Sequence, residues 1–242
     1  MDLDEEQVLD YLHVLKSRHK TPSDSFFKHT VYGLRYAYRI SGMKEMRVVL
    51  PSIERPKKLP VVLSRNEVRR LLKAPKLLKH RLVLAMLYGC GLRNFELCNL
   101  QLKDLDLERM MLHIRQGKGR KDRYVPLCAM QVRGLRKYIS AERPVTWCFN
   151  GNDSKGGPVA LSARGVQWIV KEARKHSGIQ KEVTTHSLRH SYATHLLEMG
   201  LDIMSVKDLL GHADIQTTLT YLHVAQLGRQ RPFSPLERLY DK

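Results

Sequence analysis

Three prolines, Pro51, Pro56 and Pro60, and the pair Lys57-Lys58 fall within ten residues. Proline has no amide donor and restricts the residue before it, so residues 51–61 read as a linker and not as an element. The linker divides the chain into a short piece, residues 1–50, and a long one, residues 62–225, followed by a tail, residues 226–242. The short piece buries little by itself and has to lean on a partner or on the larger domain. It reads as two helices. Val8, Leu9, Leu12 and Leu15 stripe the first. Phe26, Phe27, Val31, Leu34 and Tyr38 mark the second, which Gly42 ends.

In the long piece, Ser64 and Glu67 form a capping box that opens a helix through Leu71 and Leu72. The run Leu82 to Tyr88 is almost wholly apolar and predicts a buried helix. It leads into Gly89-Cys90-Gly91-Leu92-Arg93, where two glycines permit a tight turn or a close approach. Leu105 to Leu107, Met111 to Arg115 and Arg123 to Leu127 read as short strands. The last two are joined by the basic hairpin Gln116 to Asp122, which lacks P-loop spacing. Residues 129–140 read as a helix and Asn150 to Pro158 as a loop. Val166, Ile169, Val170 and Ala173 mark a helix closed by Gly178. Three more follow: one through Tyr192 and Leu197 to Gly200, one stopped by Gly211, and one capped by Asp214. The fold class is mainly α with a small antiparallel β-sheet (α+β).

Charge narrows the partner. The chain of 242 residues holds 42 Lys+Arg against 24 Asp+Glu, a formal net charge of +18. That surplus points to a polyanion, nucleic acid or an anionic membrane. No stretch approaches the roughly 20 apolar residues that span a bilayer, and the acidic start Met1 to Glu6 resembles neither a secretory signal nor a transit peptide. Nucleic acid is the expected partner, with no membrane. The candidate phosphate contacts are Lys28, Arg35 and Arg39 on the second helix, Lys121 in the hairpin, and Arg164, Lys171 and Arg174 on the helix before Gly178. The four cysteines form no Cys-x-x-Cys pair and read as reduced thiols.

Chemistry concentrates between His186 and Tyr221, which reads His186-Ser187-Leu188-Arg189-His190, then Leu210-Gly211-His212, then Thr220-Tyr221. Arginine grips phosphate oxygens in a fork, imidazole moves protons, and a phenol can become a covalent nucleophile. His186 and His190 have a zinc-compatible spacing, but Ser-Leu-Arg lies between them and no Glu follows the first histidine, so no metal is expected. A Gly-x-Ser-x-Gly elbow is absent, which argues against a serine hydrolase.

These blocks, together with Gly91-Leu92-Arg93-Asn94-Phe95-Glu96-Leu97 and Gly117-Lys118-Gly119, resemble the tyrosine recombinase (phage integrase) family in order and in offset. Three residues separate His186 from Arg189, twenty-six His186 from His212, and nine His212 from Tyr221. The resemblance implies a catalytic domain over residues 62–225, preceded at 1–50 by a partial helical core-DNA-binding (SAM-like) arm with fewer helices than the family usually has. Phe95 stands where the family often has a small residue, which reads as a local packing change.

By that resemblance, Tyr221 is the nucleophile that forms a 3′-phosphotyrosine, and Arg93 and Arg189 hold the non-bridging oxygens. His212 adds a hydrogen bond, Lys118 protonates the leaving 5′-oxygen, and His186 assists proton transfer at the tyrosine. His190 and Glu96 are expected to support these residues. No cofactor is implied. The implied function is site-specific DNA recombination through a Holliday junction. The implied working form is a homotetramer on two DNA sites with the tail exchanged between neighbours, in the cytoplasm at the nucleoid, with accessory DNA-bending proteins as further partners. The rival readings are a type IB topoisomerase-like nicking-closing enzyme and a DNA-binding protein limited in catalysis.

Overall fold

Two helices make up what is described of the first part of the chain, and eight helices with two small sheets make up the rest. The computed structural model describes residues 5–18, 24–42, 59–115, 122–152, 158–222 and 224–225. Contacts divide the chain into two units, Met1–Lys57 and Lys58–Lys242. In the first unit, α1 spans Glu5–Arg18 and α2 spans Asp24–Ile40. Val8, Val31 and Tyr38 are buried, while Tyr11, Tyr32 and Tyr36 stay more than half exposed. Gly42 has a positive φ of 76°, which suits its place just past the end of α2.

The second unit opens with α3 (Arg65–Lys73), and the expected capping box is present. Ser64 Oγ accepts from the Glu67 amide at 3.2 Å, and Glu67 Oε2 accepts from the Ser64 amide at 2.7 Å. The apolar run becomes α4 (Leu78–Gly89), with Leu82, Val83, Leu84, Met86 and Leu87 buried. A helix apolar on most faces has to be surrounded. Helices α3, α6 (Ala129–Glu142), α7 (Ala163–Ser177) and α8 (Thr185–Glu198) pack around it.

Strands β1 (Leu105–Asp106), β2 (Met111–Ile114) and β3 (Arg123–Pro126) pair antiparallel in that order, with Leu112 opposite Val125 and Ile114 opposite Arg123. Alternation along the strands sends Leu112, Ile114 and Val125 inward. On the other face the rings of His113 and Tyr124 stack 4.6 Å apart. One expectation is corrected here. Asn150–Asn152, at the start of the segment read as a loop, pairs with Pro158–Ala160, which begins at that segment's end, as β4 and β5, a second antiparallel sheet. The two strands pair by main chain, which side-chain composition does not register.

Short helices complete the unit: α5 (Asn94–Cys98), α9 (Ile203–Leu210) and α10 (Gln216–Leu219). Asp202 caps α9, accepting from the amides of Met204 and Ser205 at 2.9 Å each, and Gly211 ends it at φ 62°. No helix among the described residues is long and apolar enough to cross a membrane.

Candidate active site

The site is built around one buried carboxylate. Arg93 is the N-cap of α5. Its amide donates to Glu96 Oε2 at 2.8 Å and its Nη1 to Glu96 Oε1 at 2.8 Å. Arg123 reaches the same carboxylate from β3, with Nη1 at 2.9 Å from Oε1 and Nη2 at 2.7 Å from Oε2. Arg189 Nη1, from α8, lies 3.8 Å from Oε2. Burial works against the charged form of Glu96. The hydrogen bonds and charge of Arg123, and then the bonds from Arg93, overcome it and hold the carboxyl down at about 2.

A single carboxylate does not neutralise three guanidinium groups, and the end of α9 adds further hydrogen-bond acceptors. Three consecutive carbonyls at that C-terminus each accept from a different arginine. Leu209 O accepts from Arg123 Nε at 2.9 Å, Leu210 O from Arg189 Nη2 at 2.5 Å, and Gly211 O from Arg93 Nη2 at 3.2 Å. A helix leaves its last carbonyls unpaired and carries partial negative charge there, so cations are stabilised at that end. Arg189 is the most enclosed of the three, with 4% of its side chain exposed, and its Nη1 also donates to Gly91 O at 2.5 Å. Burial and the neighbouring Arg93 bring its pKa down to about 10, so it remains charged at neutral pH. Arg93 keeps 21% of its side chain exposed.

Gly91 makes this approach possible. Its φ is 58°, and a Cβ there would overlap the Tyr192 ring and come within 3.3 Å of Leu210. Glycine is the residue that combines left-handed backbone with no side chain.

The histidines and the phenol lie beside the arginines. His186, Arg189 and His190 share one side of α8 through their spacing of three and four residues. The rings of His186 and His190 stack with centroids 6.3 Å apart. His212 follows the α9 stop. Its ring stacks on Tyr221 at 6.3 Å and 19°, and its Nδ1 is 2.9 Å from Thr218 Oγ1. Tyr221, just beyond α10, is 3% exposed and packs in a small apolar cluster with Tyr192, Leu197, Val206 and Leu210. Its hydroxyl lies 3.1 Å from His190 Nδ1. Burial pushes the Tyr221 phenol up, and the charges of Arg189 and then Arg93 draw it part of the way back.

The structure thus brings together Arg93, His186, Arg189, His212 and Tyr221. Lys118 and Lys121 lie outside the described residues, as do the side chain of Lys28 and residues 226–242. Arg35, Arg39, Arg164 and Lys171 are exposed. Arg174 is engaged within its own unit: it binds Glu182 at 3.0 Å and donates to the carbonyls of Ile179 and Gln180. Two residues escaped the sequence reading. Arg123 was visible in principle, since strand alternation puts it on the buried face with Val125 and a charge there needs a partner. Trp168, 55% exposed, lies in one helical stripe with Arg164, Lys171 and Lys175. Phe95 is 74% exposed, so it adds apolar surface beside Arg93 where a packing change was expected. Among the described residues no group of His, Cys, Asp or Glu side chains is gathered to hold a metal ion.

Comparison with known proteins agrees with this architecture. The sequence profile of the phage integrase family matches residues 61–227. The tyrosine recombinase XerA of Thermococcus onnurineus is 38% identical over 211 residues, covering 86% of this chain and 74% of that protein. XerA of Thermococcus kodakarensis is 37% identical over 226 residues, covering 92% and 78%. A crystal structure of XerA recombinase superposes with a TM-score of 0.63 at 28% identity, covering 98% of this chain and 82% of that one. XerH bound to its difH substrate shares the fold, with a TM-score of 0.72 at 24% identity over 91% of this chain and 67% of that one. The helical domain with its small antiparallel sheets is the catalytic domain of a tyrosine recombinase, a class that breaks and rejoins DNA. The chain belongs to the phage integrase family.

Proposed function

We propose that this chain carries out site-specific recombination of double-stranded DNA through a 3′-phosphotyrosine on Tyr221. The buried Tyr221 ring, packed against His212 and His190 and under the charges of Arg189 and Arg93, in the family's order along the chain, supports this reading most directly. Tyr221 Oη attacks the scissile phosphorus, the bond to the 5′-oxygen breaks, and Lys118 gives that oxygen its proton. Arg93 and Arg189 hold the non-bridging oxygens and offset the charge that grows in the transition state, and His212 adds a hydrogen bond. His186 assists proton transfer at the tyrosine. The phosphotyrosine keeps the energy of the phosphodiester, so a 5′-hydroxyl from another strand reseals it without ATP. Repetition on the second pair of strands passes through a Holliday junction.

The reading extends to the assembly. Residues 1–50 form a partial DNA-binding arm with Lys28, Arg35 and Arg39 toward phosphate, and residues 51–61 link it to the catalytic domain, 62–225. Arg164, Lys171 and the hairpin residue Lys121 contact DNA from the catalytic side. Four copies assemble on two DNA sites at the nucleoid in the cytoplasm, each passing residues 226–242 to a neighbour, with accessory DNA-bending proteins assisting. The net charge of +18 supports DNA as partner.

The test uses duplexes of random or genomic sequence, nicked so that the 5′ fragment diffuses away after cleavage. A covalent protein–DNA band mapped to Tyr221, absent in Tyr221→Phe, is the expected result. Recombinant product from DNA carrying two captured sites separates a recombinase from a nicking-closing enzyme. DNA binding without any covalent band would leave a DNA-binding protein only and overturn the proposal.

A further inference from the structure

We infer that His190 is a further catalytic residue, whose Nδ1 accepts the Tyr221 hydroxyl proton as the phenol oxygen attacks phosphorus. The inference rests on the reading of Tyr221 as nucleophile. Among the described residues, the side-chain hydrogen-bond partner of Tyr221 Oη is His190 Nδ1, at 3.1 Å. The two rings pack tilted at 51° with centroids 5.5 Å apart, so the contact is held by packing as well as by the bond. His186 stacks on His190 from the preceding turn of α8 and is exposed. It stands behind the imidazole that meets the phenol and assists through that ring.

The protonation states suit the transfer. Burial, and then the neighbouring His186 and Arg189, push His190 down to about 4, so at neutral pH the ring is an uncharged imidazole, and in the tautomer with its hydrogen on Nε2 the Nδ1 lone pair accepts from the Tyr221 hydroxyl 3.1 Å away. The phenol, raised by burial, keeps its proton until attack. An acceptor is then needed at the moment the Oη–P bond forms. In that step the O–H bond of Tyr221 breaks, the Oη–P bond forms, and the P–O5′ bond breaks. The proton passes to Nδ1 and makes an imidazolium. The phosphodiester brings negative charge beside this ring, which favours the protonated form. On resealing, the imidazolium returns the proton to the leaving phenolate. His190 follows Arg189 directly, so the helix that buries one phosphate ligand also fixes the base.

The test measures the single-turnover rate of adduct formation by the full chain on the nicked random-sequence duplex pool. His190→Asn keeps a hydrogen-bond acceptor but cannot take a proton, and His190→Gln is the second variant should the first not fold. DNA affinity and thermal midpoint verify folding. The expected loss is about a hundredfold or more. The same variants are then made with 3,5-difluorotyrosine at position 221, a phenol that ionises near neutrality and needs no base. There the penalty for losing His190 should shrink to a few-fold. An equal penalty with both phenols would make His190 a positioning residue and overturn the inference, as would an undiminished rate in His190→Asn while the adduct still maps to Tyr221. Absence of any Tyr221 adduct from the unaltered chain sinks the nucleophile reading and this inference with it.

Discussion

Arg123 grips both carboxylate oxygens of Glu96, at 2.9 and 2.7 Å, from a strand 27 residues further along the chain. The pair joins the small sheet to the turn that carries Arg93, and the same Arg123 donates to Leu209 O at the end of α9. Three elements that each supply part of the proposed phosphate site are therefore tied through one guanidinium. All three guanidinium nitrogens of Arg123 are engaged, Nη1 and Nη2 by Glu96 and Nε by Leu209 O, so it acts through Glu96 and the α9 end and not on DNA. Replacing it with lysine keeps the charge but loses the fork geometry. Arg123→Lys should slow adduct formation about tenfold to a hundredfold, with DNA affinity little changed, because a small displacement of the reactive groups is costly. Single-turnover rates set against binding isotherms would show this. A parallel fall in affinity and rate would count against a positioning role.

Glu96 should also make stability depend on acid. Its folded pKa is about 2 against an ordinary 4.5. A group depressed on folding stabilises the protein above its unfolded pKa, and that contribution is lost as pH falls through 4.5 toward 2. The shift corresponds to about 3 kcal/mol. Urea midpoints between pH 6 and pH 3 should fall in the unaltered protein. Glu96→Gln should lack that part of the slope and be less stable at pH 6 by roughly 3–5 kcal/mol, since it leaves buried guanidinium groups without their partner.

Much of this was legible in the residues. The capping box at Ser64, the glycine stop after α9 and the Arg93–Glu96 spacing are local, and local geometry follows from short-range pattern. The His186, Arg189 and His190 face is likewise implied by helix period. Which imidazole meets Tyr221 is not, because it depends on where the chain just after α10 meets α8, across 31 residues of chain. The partner of Arg123 is hidden for the same reason. Pairing of β4 with β5 is carried by main-chain groups, and turn-forming residues mask it. Trp168 reads in sequence as one more apolar residue of α7, and its 55% exposure emerges from packing alone.

Gly91 is the position where a methyl group should do most harm. It holds a φ of 58°, and a Cβ would drive into the Tyr192 ring. Left-handed backbone costs a non-glycine residue about 1–2 kcal/mol, and overpacking adds about 1–3 kcal/mol. Gly91→Ala should lose about 2–5 kcal/mol in urea denaturation. Any folded fraction should form adduct slowly, because Gly91 O is a ligand of Arg189. A variant as stable as the parent would mean that the turn relaxes freely.

DNA binding should weaken steeply with salt, and α7 allows the source to be located. Arg164, Trp168, Lys171 and Lys175 are exposed in one stripe, and the side-chain Nδ2 of Asn94 donates to Ala163 O at 3.2 Å, which ties the start of α7 to the residue after Arg93. Each phosphate neutralised releases counterions and contributes about −0.9 to the slope of log affinity against log salt. Lys171→Ala should lower affinity on every sequence alike and reduce that slope by about one. Arg174→Ala should leave the slope unchanged, because its guanidinium is engaged by Glu182 and the Ile179 and Gln180 carbonyls. Trp168→Ala should weaken binding with no change of slope, since an indole carries no charge to exchange for counterions. Titrations of all three variants from low to moderate salt decide the matter. A flat response in the unaltered chain would remove the electrostatic basis for DNA as the partner, and equal slopes for the parent and Lys171→Ala would move the contact away from α7.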